Sequence, residues 1–354
     1  MKKTYYEHES QLFLDKLKLI QSELPPYCKD YFHYLKQSNG FRTIVSYAND
    51  LKIFFYFLSI SNSIYTDPKK IPLELLNSLK PSDINEFMMF LEHYTYNGTP
   101  YKNSSAGRNR KLSSLRSFYN YLCYLGFVEN NPPSMVRTPK LSKKNVLVLS
   151  DEEKNNLLHV IQYGTNLSKK QLETHRITRI RDEAIFTLFL GTGMRVSELV
   201  GIDLEHINFN KHTIELVRKG GNEDYIFFGQ EIEAILQRYI EHSRLQDYKP
   251  ELHENALFLS LKGTRLHVNS VENLAKKYAV AANISPDFVP HTCRKTYGTQ
   301  LYNATSDIRL VADVLGHSSI LTTSTHYVLN SDSNKASIAN QKIFKENLTD
   351  ENIK

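Results

Sequence analysis

His291-Thr292-Cys293-Arg294, Leu315-Gly316-His317 and Tyr327 follow one another near the C-terminal end of this 354-residue chain, and Gly191-Thr192-Gly193-Met194-Arg195-Val196-Ser197-Glu198-Leu199 lies far upstream. Two arginines, two histidines and a tyrosine make a set that can attack a phosphodiester without a metal ion. A phenol must lose its proton as it attacks. The phosphate becomes a crowded anion in the transition state, and fixed cations must hold it there. The departing sugar oxygen needs a proton, and general acid–base catalysis of this kind contributes about a hundredfold to ten-thousandfold.

The spacing gives each residue a place. His291 and Arg294 are three apart and share a face if a helix starts at Pro290, and a helix N-terminus suits a phosphate. Arg195 follows Gly191-Thr192-Gly193, read as a tight loop that lets the guanidinium approach the backbone of a ligand closely. Lys219 sits in a glycine-rich turn, where a flexible ammonium can reach a leaving oxygen. His317 follows a helix-ending glycine, and Tyr327 is one short helix further on. Taken singly, each has a plain structural reading: a helix-surface salt bridge, an exposed turn lysine, satisfied polar histidines, or a helix-turn-helix over residues 307–327. Tyr327 is one of 22 tyrosines. Six such residues in this order are hard to obtain by chance.

Around these residues the second half of the chain reads as mixed. Ser150-Asp151-Glu152-Glu153 opens a helix with a capping box. Residues 182–190 predict a short buried helix. Residues 213–218 and 225–228 alternate and are rich in β-formers, with Lys219-Gly220-Gly221-Asn222-Glu223-Asp224 between them, so they predict a hairpin. Residues 256–260 are expected to add a third strand. Helices are expected around 271–282, 293–303, 308–315 and 320–326, and residues 331–354 form a polar tail.

The first third reads as helices over residues 11–24, 41–60, 81–94 and 103–125. Ile44, Tyr47, Leu51, Phe54, Phe55 and Leu58 supply one apolar face; Leu112, Leu115, Phe118, Tyr119, Leu122 and Tyr124 supply another, with Gly126 as a stop. Prolines and lysines without periodicity follow. The expected division is a helical domain over residues 1–133, a basic linker over 134–145, a catalytic domain over 146–330, and the tail. Between Tyr101 and Lys144 there are nine basic residues against one acidic residue, Glu129. Such a one-sided segment fits a polyanionic partner, and Arg108, Arg110, Lys111, Arg116, Lys140, Lys143 and Lys144 are the candidate DNA-contacting residues.

Composition agrees and excludes other classes. The net charge is +6, and 41% of residues are hydrophobic. No apolar run approaches the roughly 20 residues that span a bilayer, and the N-terminus lacks the apolar core of a signal peptide. Cys28, Cys123 and Cys293 are scattered, which argues for a reducing compartment and against a disulfide framework or zinc site.

Taken together, these residues resemble the tyrosine recombinase (integrase) family, most closely its Xer branch and there the single-recombinase systems. The resemblance covers nearly the whole chain. Its strongest parts are residues 191–199, 291–299 and 315–327; Tyr47…Asp50-Leu51 and Arg110-Lys111-Leu112…Leu115-Arg116-Ser117-Phe118 look like the family's core-binding domain. It implies a mainly α fold with a small antiparallel sheet in an α+β catalytic domain. It also implies that Arg195 and Arg294 clamp the phosphate, Lys219 protonates the 5′ oxygen, His291 serves the tyrosine step as acid/base, His317 hydrogen-bonds the phosphate and Tyr327 forms a 3′-phosphotyrosyl link. Glu198 is expected to support the structure. The bond energy stays in the protein–DNA ester, so no cofactor, metal or nucleotide is required. The implied partners are double-stranded DNA carrying a dif-like site, three further copies of the chain in a tetramer on two sites, and a septal DNA translocase. Neither a membrane nor a small-molecule substrate is implied, and the implied location is the cytoplasm, at the nucleoid. The tail is expected to dock on a neighbouring subunit.

Three departures from the family pattern stand out, the first being that the hairpin over residues 218–224 lacks the second basic pair common after its lysine. Lys295 occupies the place of a histidine often found after the second arginine, and Tyr327 lies one residue further from His317 than is usual in the Xer branch, leaving His326 at the usual position. Rival readings are a transposon or phage integrase, a type IB topoisomerase, and a non-catalytic DNA-binding regulator that keeps the fold as a scaffold.

Overall fold

The computed structural model describes residues 5–140, 147–217, 223–244 and 255–316. The chain divides into two compact units, residues 1–144 and 145–354.

Aromatic packing organises the first unit. Helices α1 (Tyr5–Gln21), α2 (Cys28–Leu35), α3 (Phe41–Ser61), α4 (Leu73–Ser78), α5 (Pro81–Phe90) and α6 (Ser105–Tyr124) surround one core. Tyr31, Phe32, Phe54, Phe55, Phe87, Phe118 and Tyr119 are fully buried in it. Tyr31 meets Phe118 edge to face at 5.0 Å, and Phe54 meets Phe87 at 5.2 Å, the arrangement favoured by the ring quadrupoles. Two expectations change here. Tyr124 is 82% exposed and is no part of the core. The helix expected over 81–94 ends at Phe90, because Asn97-Gly98 builds a hairpin from β1 (His93–Tyr96) and β2 (Thr99–Lys102). Both turn residues have positive φ, 49° and 75°, which asparagine and glycine tolerate. Ser104 then caps α6 by accepting from the Gly107 N–H.

The second unit is built on α9 (Lys169–Thr192). It packs against α8 (Asp151–Tyr163), α11 (Gln230–His242) and α13 (Pro290–Thr305). The short helix expected over 182–190 is the buried end of this longer one, which starts at a Ser168–Gln171 capping box. A buried charge cluster fixes α9 to its neighbours. Asp182 accepts from Thr178 Oγ1 at 3.0 Å, Arg181 Nη2 at 2.7 Å and Tyr278 Oη at 2.7 Å, with Lys277 Nζ 3.5 Å away. Tyr278 and Lys277 belong to α12 (Val268–Ala281).

The expected hairpin is present as β4 (Thr213–Val217) and β5 (Glu223–Phe227), antiparallel in register from Thr213–Phe227 to Val217–Glu223. The third strand is β3 (Ile207–Asn208), paired with β4, and not residues 256–260. That segment is spent on other partners: Ala256 only bridges Asp203, and Leu257 N–H donates to Ile202 O. Among the described residues no helix is long and apolar enough to cross a membrane.

Candidate active site

Three chain segments of the second unit converge on one small volume. The first is the end of α9. Gly191 and Thr192 continue the helix, so the tight loop expected there is a helix terminus. Gly193 closes it in the left-handed conformation (φ 64°, ψ 19°), its N–H donating to Phe189 O at 3.0 Å. A Cβ on Gly193 would lie 2.5 Å from Tyr297 Cδ1 and 2.8 Å from Leu315 Cδ2. Only glycine fits between these neighbours at that φ.

Arg195 comes next, at the N-cap of α10 (Val196–Gly201). Glu198 holds it twice: Arg195 N–H donates to Oε2 and Nη1 to Oε1, both at 2.6 Å. Glu198 is 4% exposed, whereas the Arg195 side chain is 37% exposed. The carboxylate is therefore a buried anchor and the guanidinium its accessible load, which is the supporting role expected of Glu198. The other arm, Nη2, donates to Gly316 O at 3.0 Å.

The second segment is the start of α13, where Pro290 fills the first turn with no N–H to satisfy. His291 is exposed, and Arg294, one turn on, is fully buried. Arg294 Nη1 donates to Gly193 O at 2.8 Å, and Nη2 donates to Leu315 O. Cys293 between them is buried, and burial pushes its thiol up to about 12, so it is neutral and no competing nucleophile.

The third segment is the end of α14 (Ile308–Leu315), capped at its start by Asp307 and closed by Gly316 at φ 59°. Its last carbonyls take a bond from each arginine, and His317 is the next residue. Arg195 and Arg294 thus meet at one place, with His291 at the head of the helix that carries Arg294. Lys219, His317 and Tyr327 lie outside the described residues; Lys219 falls in the connection between β4 and β5.

One phenol escaped the sequence reading. Tyr297 packs its ring against Gly193. Burial raises its pKa, which makes its phenolate harder to form. The signal was there: it sits three residues after Arg294, on the same helix face.

The candidate DNA-contacting residues are mostly committed to contacts within the first unit. Arg110 forms a bidentate pair with Asp50 and also reaches Ser46 Oγ, with 45% of its side chain exposed. Arg108 pairs with Glu92. Arg116 donates to Pro133 O at 3.0 Å and Val136 O at 2.7 Å, fastening the short helix α7 (Pro132–Met135) and the chain beyond it onto α6. Lys111 is withdrawn from the set: it is 8% exposed, bonds Asn103 Oδ1 at 3.1 Å and lies 3.6 Å from Asp50. Lys140 is exposed, and Lys143 and Lys144 lie outside the described residues.

Comparison with known proteins gives these segments a common origin. The model of the phage integrase family matches residues 148–334, and that of the phage integrase N-terminal SAM-like domain matches residues 28–124. The chain belongs to the phage integrase family. Within it the chain is of the Xer tyrosine recombinase type. It is 32% identical over 348 residues to tyrosine recombinase XerS of Streptococcus mutans serotype c, covering 90% of this chain and 96% of that one. It is 31% identical to tyrosine recombinase XerC of Caldanaerobacter subterraneus subsp. tengcongensis, covering 84% and 82%. Among solved structures, the fold resembles the XerH site-specific recombinase bound to palindromic difH substrate, with a TM-score of 0.64 at 20% identity over 85% of this chain and 80% of that one. It also resembles the Tn1549 transposon integrase in complex with circular intermediate DNA, with a TM-score of 0.59 at 21% identity over 85% and 94%. This integrase architecture is a mainly helical first unit and a catalytic unit with a small antiparallel sheet, as the sequence implied.

Proposed function

We propose that this chain is a site-specific tyrosine recombinase that cuts and rejoins double-stranded DNA through a 3′-phosphotyrosyl intermediate. The observation that carries the reading is the meeting of Arg195 and Arg294 at the end of α14, within a family match spanning residues 148–334. Two guanidiniums at one point can neutralise the non-bridging oxygens of a phosphodiester and stabilise its pentacoordinate transition state.

In the step we assign, Tyr327 Oη bonds to phosphorus and its proton passes to His291. The bond from phosphorus to the 5′ oxygen breaks, and that oxygen keeps the electron pair and takes a proton from Lys219. His317 hydrogen-bonds the phosphate. Rejoining reverses each transfer, with the 5′ hydroxyl of a partner strand as nucleophile. The phosphotyrosyl ester conserves the energy of the cut bond, so the reading calls for no metal or nucleotide.

Both units contact DNA in this reading. Arg108, Arg110, Arg116, Lys140, Lys143 and Lys144 supply phosphate contacts from the first unit and the segment that follows it. Four copies act on two sites through a Holliday junction, the tail beyond residue 330 docking on a neighbour. In this reading the chain resolves chromosome dimers at a dif-like site, in the cytoplasm at the nucleoid and with a septal translocase as activator; what favours a Xer role is the likeness to tyrosine recombinases XerS and XerC.

The test is a nicked substrate that traps the covalent complex, run with and without a chelator. Wild type accumulates a protein–DNA adduct in both, Tyr327→Phe does not, and Tyr297→Phe does. An adduct that survives Tyr327→Phe and disappears in Tyr297→Phe or His326→Ala moves the nucleophile; the absence of any wild-type adduct on cognate DNA overturns the reading.

A further inference from the structure

We propose that Thr296 is a positioning residue for this site: its hydroxyl ties the chain entering the second unit to the helix that carries His291 and Arg294. The proposal rests on the reading that these residues cleave DNA.

Thr296 is fully buried in α13, two residues past Arg294. Its Oγ1 accepts from Leu149 N–H at 3.0 Å and donates to Thr292 O at 2.9 Å. Leu149 is 3% exposed and immediately precedes Ser150, the cap of α8. One turn further along α13, Gln300 Nε2 donates to Asp151 Oδ1 at 3.1 Å. The entering segment is thereby pinned to α13 at two points on one face.

Thr292 carries the tie to the helix start. Its Oγ1 accepts from Val289 N–H at 3.2 Å, and its own N–H donates to Val289 O at 2.7 Å. These bonds set where α13 begins, and so where His291 stands. A continuous line of polar contacts runs from Leu149 through Thr296 and Thr292 to the turn that holds His291. Arg294 lies between the two threonines.

A threonine bonded only to the carbonyl four residues back is a poor choice for a helix interior, because that bond competes with the helix's own and tends to bend it. Valine would fill the same space. What valine cannot do is accept the Leu149 N–H, which is buried and needs a partner. The hydroxyl is thus explained by the tie. Displacement of the entering segment would be passed to the helix that places a general acid–base and a phosphate-binding arginine, groups for which small errors of placement are costly.

The experiment compares full-length wild type, Thr296→Val and Thr296→Ser on the nicked substrate under single-turnover conditions. Thr296→Val should cleave roughly tenfold more slowly at saturating protein, with the covalent end-point amplitude and the affinity for DNA unchanged. Thr296→Ser should cleave at the wild-type rate. Hydrogen exchange supplies a second readout: the Leu149 amide loses protection in Thr296→Val and keeps it in Thr296→Ser. A wild-type rate in Thr296→Val overturns the proposal. So does a loss of amplitude with the remaining molecules reacting at the normal rate, since that is misfolding, and so does a serine variant as slow as the valine one. An inactive wild type instead removes the DNA-cleavage reading itself, and this inference with it.

Discussion

Arg195 and Arg294 donate to neighbouring carbonyls of the same helix end, Arg195 Nη2 to Gly316 O at 3.0 Å and Arg294 Nη2 to Leu315 O. They come from segments distant in sequence, and their meeting fixes the residue pair directly before His317. Both hold the end of α14 in register, and in the proposed function each also presents positive charge to a phosphate. A change that loosens either guanidinium should disturb both.

Glu198 is the first place to see this. Its carboxylate takes both a backbone and a guanidinium bond from Arg195 and is almost fully buried. Glu198→Ala removes two charge-assisted bonds, a loss of about 1.5–3 kcal/mol each at most. The expected result is a fall in cleavage rate of about tenfold or more, larger than any fall in DNA affinity, because affinity for DNA is generally spread over many phosphate contacts. Single-turnover rates beside equilibrium binding check this; affinity falling as much as rate would make Glu198 a general support of the fold.

Gly193→Ala should be more damaging than its size suggests. The position has φ 64°, and the added carbon would meet Tyr297 at 2.5 Å and Leu315 at 2.8 Å. Left-handed strain costs about 1–2 kcal/mol, and overpacking typically costs about 1–3 kcal/mol more. Tyr297 lies three residues past Arg294, and Leu315 O and the following Gly316 O accept from Arg294 and Arg195, so their displacement reaches both arginine contacts. Thermal melting should show a clear loss of stability, and cleavage should fall further than melting predicts at a temperature where the variant is folded.

The pairing of His291 and Arg294 on one helix was legible because they lie three residues apart, and the hairpin because its strands alternate. The capping box at Ser150 was legible for the same local reason. What could not be read was long-range. The partner of Arg110 is Asp50, in a helix 60 residues earlier, so a basic segment that looked free is largely paired. The tie from Leu149 to Thr296 crosses 147 residues and involves a backbone N–H, which leaves no trace in side-chain pattern. Asn97-Gly98 was a missed local signal: the helix expected over 81–94 was carried up to a turn pair that favours a hairpin.

Two buried carboxylates predict opposite pH behaviour. For Asp182, burial raises the pKa, but Arg181, Lys277 and the Tyr278 hydrogen bond outweigh it, and the carboxyl is held below the usual range. Its stabilisation is present above the ordinary carboxylate pKa and is lost as pH falls through the depressed value. For Asp50, burial dominates over Arg110 and Lys111, and the pKa is raised. That contribution is present below the ordinary pKa and is lost as pH rises through the raised value. Asp182→Asn should therefore cost most at neutral pH, about 3 kcal/mol or more, and converge on wild type in acid. The difference between Asp50→Asn and wild type should shift in the variant's favour as pH rises. Melting curves from acid to neutral pH test this, and slopes of the same sign for both variants would refute it.

Lys219 offers the sharpest chemical test, because its assigned role is confined to one atom. A 5′ alkoxide is a poor leaving group and needs a proton as the bond to phosphorus breaks. Lys219→Ala should slow cleavage of the nicked substrate by about a hundredfold or more, the usual contribution of a positioned general acid. Replacing the bridging 5′ oxygen with sulfur removes the need, since a thiolate leaves without protonation. On that substrate Lys219→Ala should cleave at nearly the wild-type rate. Arg195→Ala should stay slow on both substrates, because its assigned role is to stabilise charge on the non-bridging oxygens, which sulfur at the bridge does not relieve. Rescue of Arg195→Ala, or continued failure of Lys219→Ala, would move the acid from the β4–β5 connection to another residue of the site.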